Sequence, residues 1–163
     1  MNAAAPSISL PAGLQWGSTR LEPATLWITG AAGAGVVAFG RAVCDALTAA
    51  GRQATLVDEQ IDDDACADHA ARARRAAEDA ASVVAGGAVA VVVIASPRVR
   101  DRELARLAHE ARGVPFFEIF VPTQTSTRVG GGPAEVYEVP PLPDLVVFPG
   151  PLVAVLASVI ALL

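Results

Sequence analysis

The chain has 163 residues, 53% hydrophobic and 18% charged, with a formal net charge of −5 and a pI near 4.9. This length and composition fit one packed domain and exclude a disordered chain. The acidic balance excludes an overall basic nucleic-acid surface, so no nucleic-acid partner is expected.

Residues 1–23 hold several Pro, Gly and Ser without periodicity and read as an irregular lead-in to a domain spanning 24–163. They show no basic stretch followed by an apolar core, so no signal peptide is expected. Residues 25–29, Thr-Leu-Trp-Ile-Thr, form a first predicted strand ending on Gly30. A helix is predicted over 36–50 because Phe39, Val43, Ala46 and Leu47 recur at helical spacing, with Gly51 as its stop. A short strand follows at 54–58, then an acidic loop over 59–64. The alanine- and arginine-rich stretch 66–85 is a long predicted helix closed by Gly86-Gly87. Residues 88–95 are a continuous run of Ala, Val and Ile, as in a parallel strand buried on both faces. A charged helix at 99–112, a strand with aromatics at 115–121 and a long Gly/Pro/Thr-rich loop at 122–143 come next. A last strand at 145–148 and an apolar helix at 152–163 close the chain. The final run is shorter than the ~20 residues of a membrane span, so a buried helix and no membrane contact are expected. The expected location is cytoplasmic.

Strands alternating with helices of a dozen residues predict an α/β three-layer sandwich: five parallel strands with helices on both faces. Ligands of such sheets sit beyond the carboxyl ends of the strands. The turn after the first strand reads Gly30-Ala31-Ala32-Gly33-Ala34-Gly35-Val36-Val37. It keeps the glycine frame of the phosphate-binding pattern G-x-x-x-x-G-K-[ST], in which backbone N–H groups wrap phosphates, the Lys reaches the β/γ-phosphates and the hydroxyl holds Mg²⁺. Val36 stands at the Lys position and Val37 at the Ser/Thr position. The chain has no lysine anywhere to stand in. A backbone nest at a helix N-terminus still attracts an anion. Valine neither neutralises charge nor binds a metal.

Other candidates have plain structural readings beside the functional ones. Cys44 and Cys66 are too few for a disulfide framework or a zinc site and read as reduced, partly buried thiols. Asp62-Asp63-Asp64 reads as a solvated loop, so no metal site is expected. His69 and His109 lie in helical stretches without partners at ligand spacing and read as surface residues. Trp27 reads as core, and Gly130-Gly131-Gly132 as a flexible loop.

The order of segments resembles the adenylylsulphate kinases. The carriers are Thr25 to Gly30 with the glycine loop, Gly51-Arg52 and Leu56-Val57-Asp58, then Arg74-Arg75 with Glu78. Ser96-Pro97 with Asp101-Arg102 follows, then Phe117 to Val121, and Tyr137-Glu138-Val139-Pro140 with Pro143-Asp144-Leu145. The resemblance implies a nucleotide-kinase fold and transfer of phosphate from Mg-ATP to the 3′-hydroxyl of adenosine 5′-phosphosulphate. It implies a substrate role for Arg74, with Ser96 and Arg98 able to grip a sulphate or phosphate. Asp58 keeps the first carboxylate of the family's D-G-D and is a candidate base or metal ligand; Asp58 and Ser96 are the candidate catalytic residues. Equally plain readings are a solvated face for Arg74 and Arg75 paired with Glu78 or Asp79, a helix-start turn for Ser96, and a turn cap for Asp58. The departures fall where chemistry would occur: Val36, Val37, Glu59-Gln60 after Asp58, Pro122 after Val121, and the absence of a basic lid.

Three functions follow. The first is a catalytically impaired member that binds a nucleotide or a sulphate or phosphate ester, or regulates sulphate activation, with no cofactor of its own. The second is an active kinase using Mg-ATP, its missing cation supplied by Arg41 or a partner subunit. The third is an interaction domain without ligand. A homodimer, or a complex with sulphate-activation enzymes, is compatible with the first two.

Overall fold

The computed structural model describes residues 22–58, 68–123, 136–148 and 151–163. The predicted lead-in, the acidic loop with Asp62 to Asp64, Cys66 and the triglycine at 130–132 lie outside the described residues, except Glu22 and Pro23. Among the described residues the elements follow in the order β1 (Thr25–Thr29), α1 (Val36–Ala49), β2 (Ala54–Asp58), α2 (His69–Ala85), β3 (Val89–Val93), α3 (Val99–Glu110), β4 (Phe116–Phe120), β5 (Leu145–Val146) and α4 (Leu152–Ile160). All strand pairs are parallel, in the order β2-β3-β1-β4-β5. The expected five-stranded parallel sheet is therefore present, and only element ends differ from the sequence reading. α2 begins at His69 rather than 66 because the carboxylate of Asp68 caps it, accepting from Ala70 N at 3.2 Å.

The period-two alternation of buried strands sorts side chains to two cores. Leu26, Ile28, Val89, Val91, Val93 and Ile119 face α1 and α4, packing with Val43, Leu47, Leu156 and Val159. Trp27, Ala90, Val92 and Ile94 face the other way, onto the alanine stripe Ala73, Ala76, Ala77 and Ala80 of α2 and onto Ala105 of α3. The small residues of α2 let it lie close to the sheet, leaving room for Trp27, which is fully buried as expected. α1 approaches the sheet as closely at Gly40, where a Cβ would collide with Val93 Cγ1.

The core-facing side of α3 is polar. Asp101, Arg102 and His109 are buried there, whereas Leu104 and Leu107 face outward. His109 corrects the sequence reading: it is fully buried, not a surface residue. Its Nδ1 lies 2.8 Å from the carbonyl of Ala105 and so carries the proton, leaving Nε2 to accept from the Thr25 hydroxyl at 3.0 Å. His69 is half-buried. The chain turns from β1 to β2 on one side and crosses from β3 to β4 on the other. In sheets whose connections reverse direction in this way, ligands bind beyond the carboxyl ends of the strands.

Candidate anion site at the carboxyl end of the sheet

The turn from β1 into α1 has the shape of an anion cradle. Gly33 and Gly35 have φ of +87° and +73°, and Ala34 N closes a tight turn onto Ala31 O at 3.0 Å. Gly35 is the N-cap of α1 with no side-chain cap, and no acidic residue occupies the first turn. The first N–H groups of α1 and the positive end of its dipole are thus left for an anion. The loop passes tightly under the end of β4: a Cβ on Gly30 would lie 2.6 Å from Val121 O, 2.9 Å from Ala34 Cβ and 3.0 Å from Val36 Cγ1. Ala32 is exposed, and Ala31 is half-buried.

Val36 is half-buried and packs with Ala34 and Phe39 against the α1-side core, its methyl folded back over Gly30. Val37 points outward, 39% exposed. Neither position offers a cation or a hydroxyl, and no group of three His, Cys, Asp or Glu side chains among the described residues is arranged to hold a metal. Backbone N–H groups are therefore the donors that the described part of this loop offers to an anion.

Asp58 ends β2, and its carboxylate lies 3.7 Å from the Arg41 guanidinium of α1. This is an exposed, long ion pair, with the Arg41 side chain 65% exposed. Ser96 follows β3 and is buried; its Oγ accepts from Trp27 Nε1 at 3.2 Å. Arg98 is exposed at the N-cap of α3. Arg74 is exposed on α2, and neither it nor Arg75 forms an ion pair with Glu78 or Asp79. Asp58 ends β2, and Ser96 and Arg98 lie in the segment that leaves the carboxyl end of β3, the neighbour of β1 in the sheet.

Sequence reasoning assigned no role to the network that braces this end. Arg102 is nearly fully buried. Its Nε donates to Glu118 Oε1 at 2.7 Å, Nη1 to Ser96 O at 2.6 Å and Nη2 to Glu138 O at 2.6 Å, while its guanidinium lies over the Tyr137 ring at 5.2 Å. Arg106 donates to Asp144 Oδ2 at 2.8 Å, and the same oxygen accepts from Glu118 N at 2.7 Å. Glu138 closes the start of α3 by accepting from Val99 N at 2.7 Å, and its own N–H donates to Pro97 O at 2.8 Å. This N-terminus is thus supplied with a carboxylate from within the chain, unlike that of α1.

Tyr137 lies against this brace, stacked on Phe120 with centroids 6.1 Å apart and hydrogen-bonded to Thr29 Oγ1 at 2.8 Å. Burial raises its phenol pKa, against the opposing pull of Thr29 and Arg102. The signal for this network was present as Asp101-Arg102, Glu118 and Tyr137-Glu138, residues far apart in sequence whose meeting only the sheet order reveals.

The family model described as adenylylsulphate kinase matches residues 22–140. Among solved structures, the APS kinase of Mycobacterium tuberculosis in complex with AMPPNP and APS is 26% identical, with a TM-score of 0.76 over 86% of this chain and 97% of that one. A mutant form of the same kinase is 28% identical, with a TM-score of 0.70 over 86% of this chain and 96% of that one. A hexameric APS kinase from Thiobacillus denitrificans, 24% identical with a TM-score of 0.67, shares the fold over 86% of this chain and 28% of its own length. No curated protein matches the chain. No helix among the described residues is long and apolar enough to cross a membrane.

Proposed function

The chain belongs to the adenylylsulphate kinase family, and from that premise we propose that it is a member that binds an oxyanion-bearing ligand without transferring phosphate. The ligand is a sulphate or phosphate ester of the adenosine 5′-phosphosulphate class, and the role is that of a binding or regulatory module in sulphate activation in the cytoplasm. The observation that carries this reading is Val36 folded onto the core where the family's loop needs a lysine.

Phosphoryl transfer runs on positioning and charge neutralisation. With neither the cation nor the metal-holding hydroxyl, the loss is expected to exceed ~10⁴-fold in rate. Binding has different needs. The uncapped α1 N-terminus and the nest at Gly33 and Gly35 supply donors to an anion. Arg74 and Arg98 supply mobile cations for the far end of the ligand, Ser96 a fixed turn after β3, and Asp58 pairs with Arg41 rather than a metal.

Thermal unfolding with separate ligands tests the proposal. Adenosine 5′-phosphosulphate at about 100 times its Kd stabilises by about 2.7 kcal/mol, whereas Mg-ATP leaves the midpoint unmoved. Stabilisation by Mg-ATP would contradict impairment, and no response to either ligand would favour a ligand-free interaction domain.

A further inference from the structure

Thr25, Trp27 and Thr29 share one face of β1, and all three are buried. Buried polar atoms need partners, and each of these finds one in a different part of the chain. Thr25 bonds His109 of α3, Trp27 bonds Ser96 after β3, and Thr29 bonds the Tyr137 hydroxyl. The third bond stands apart by its position. Thr29 is the last residue of β1, and Gly30 opens the glycine turn.

Backbone support at this end of β1 is one-sided. β1 pairs with β3 from Thr25 to Trp27, but with β4 as far as Thr29, opposite Phe120. Val121 N then donates to Thr29 O at 2.8 Å. Beyond Thr29, a Cβ added at Gly33 or Gly35 would meet nothing within 4 Å among the described residues, so they do not brace the middle of the turn. A turn unsupported in its middle takes its orientation from its two ends. One end is α1, and the other is Thr29 with Gly30.

Tyr137 is firmly placed to hold that second end. Its ring stacks on Phe120, the register partner of Thr29, which brings the hydroxyl to Thr29 Oγ1. Arg102 lies over the same ring and also donates to Ser96 O and Glu138 O. The end of β1 is thereby tied to the brace that fixes the segment after β3.

We propose that Tyr137 is a positioning residue of the anion cradle: its hydroxyl, through Thr29, sets how the glycine turn presents its backbone N–H groups. This deepens, and rests on, the reading of the turn as an oxyanion site. Hydrogen bonds weaken steeply with misalignment, so a shifted turn grips an anion less well.

Calorimetry with adenosine 5′-phosphosulphate and backbone amide NMR of the full chain test this. Tyr137→Phe keeps the ring and removes the hydroxyl, and Thr29→Val removes its partner. Each weakens binding about three- to tenfold. The double variant is no weaker than either single one, because both remove the same bond. Thr25→Val breaks the bond to His109 at the far end of the same strand, about 13 Å away. It lowers the unfolding midpoint and leaves affinity within about twofold of wild type, which separates positioning from stability. In the ligand-free protein Tyr137→Phe shifts the amide resonances of Gly30, Gly33 and Gly35, and Thr25→Val does not. Unchanged affinity in Tyr137→Phe, additive losses in the double variant, or unmoved turn amides overturn the proposal. A wild type that binds no adenosine 5′-phosphosulphate defeats the oxyanion reading instead, and the turn amides then decide alone whether Tyr137 positions the turn.

Discussion

His109 shows how a single side chain ties stability to pH. Burial lowers its pKa from 6.5, the Ala105 carbonyl partly offsets this, and Arg112 adds to the lowering. The unfolded chain therefore takes up a proton as pH falls through the region of 6.5 while the folded chain does not, and stability drops with it. Above that region this contribution is fully present. Thermal midpoints measured from about pH 7.5 to about pH 5 are expected to decline, and His109→Gln is expected to flatten that decline. The residue was misread from sequence because a lone His in a charged helix gives no sign of the Thr25 hydroxyl that β1 brings to 3.0 Å. Trp27, by contrast, was legible, since it lies between Leu26 and Ile28 inside a β-rich run. Cys44 is a half-buried free thiol whose pKa is raised to about 11 by burial and by Asp45, so it is inert toward alkylation near neutral pH.

Among the elements, α3 and the segment 136–148 depend on one another. Arg102 joins them through Glu118, the Ser96 carbonyl and the Glu138 carbonyl. Arg102→Ala would leave Glu118 buried beside Arg106 alone, with two carbonyls unserved. Loss of one partner of a buried pair costs about 3–5 kcal/mol, and denaturant titration is expected to show a loss of that size. A loss below about 1 kcal/mol would mean that water replaces the guanidinium. Helix and strand positions were readable because their periodicities are local: the apolar positions of α1, the alanines of α2 and the β-branched run of β3. The brace was unreadable because each of its contacts joins residues from separate elements, and the polar inner face of α3 runs against the amphipathic rule on which helix orientation rests.

For the molecule as a whole, strand alternation with two-sided burial was enough to specify three layers and a parallel sheet. That valines stand at the loop's Lys and Ser/Thr positions is plain in the sequence as Val36 and Val37. What the sequence did not disclose is that Val36 turns back over Gly30 and that Arg41 is engaged by Asp58. Replacing Val36 with Lys and Val37 with Ser is expected to strengthen Mg-ATP binding relative to the unaltered chain, measured by calorimetry, because the glycine turn and the uncapped start of α1 supply backbone donors.

The decisive measurement is phosphate transfer from Mg-ATP to adenosine 5′-phosphosulphate, followed with radiolabelled ATP at high protein concentration. A loop floored by hydrocarbon predicts no product above the uncatalysed background. Turnover near one per second, ordinary for a kinase, would contradict it (about 1–100 s⁻¹ is the usual range).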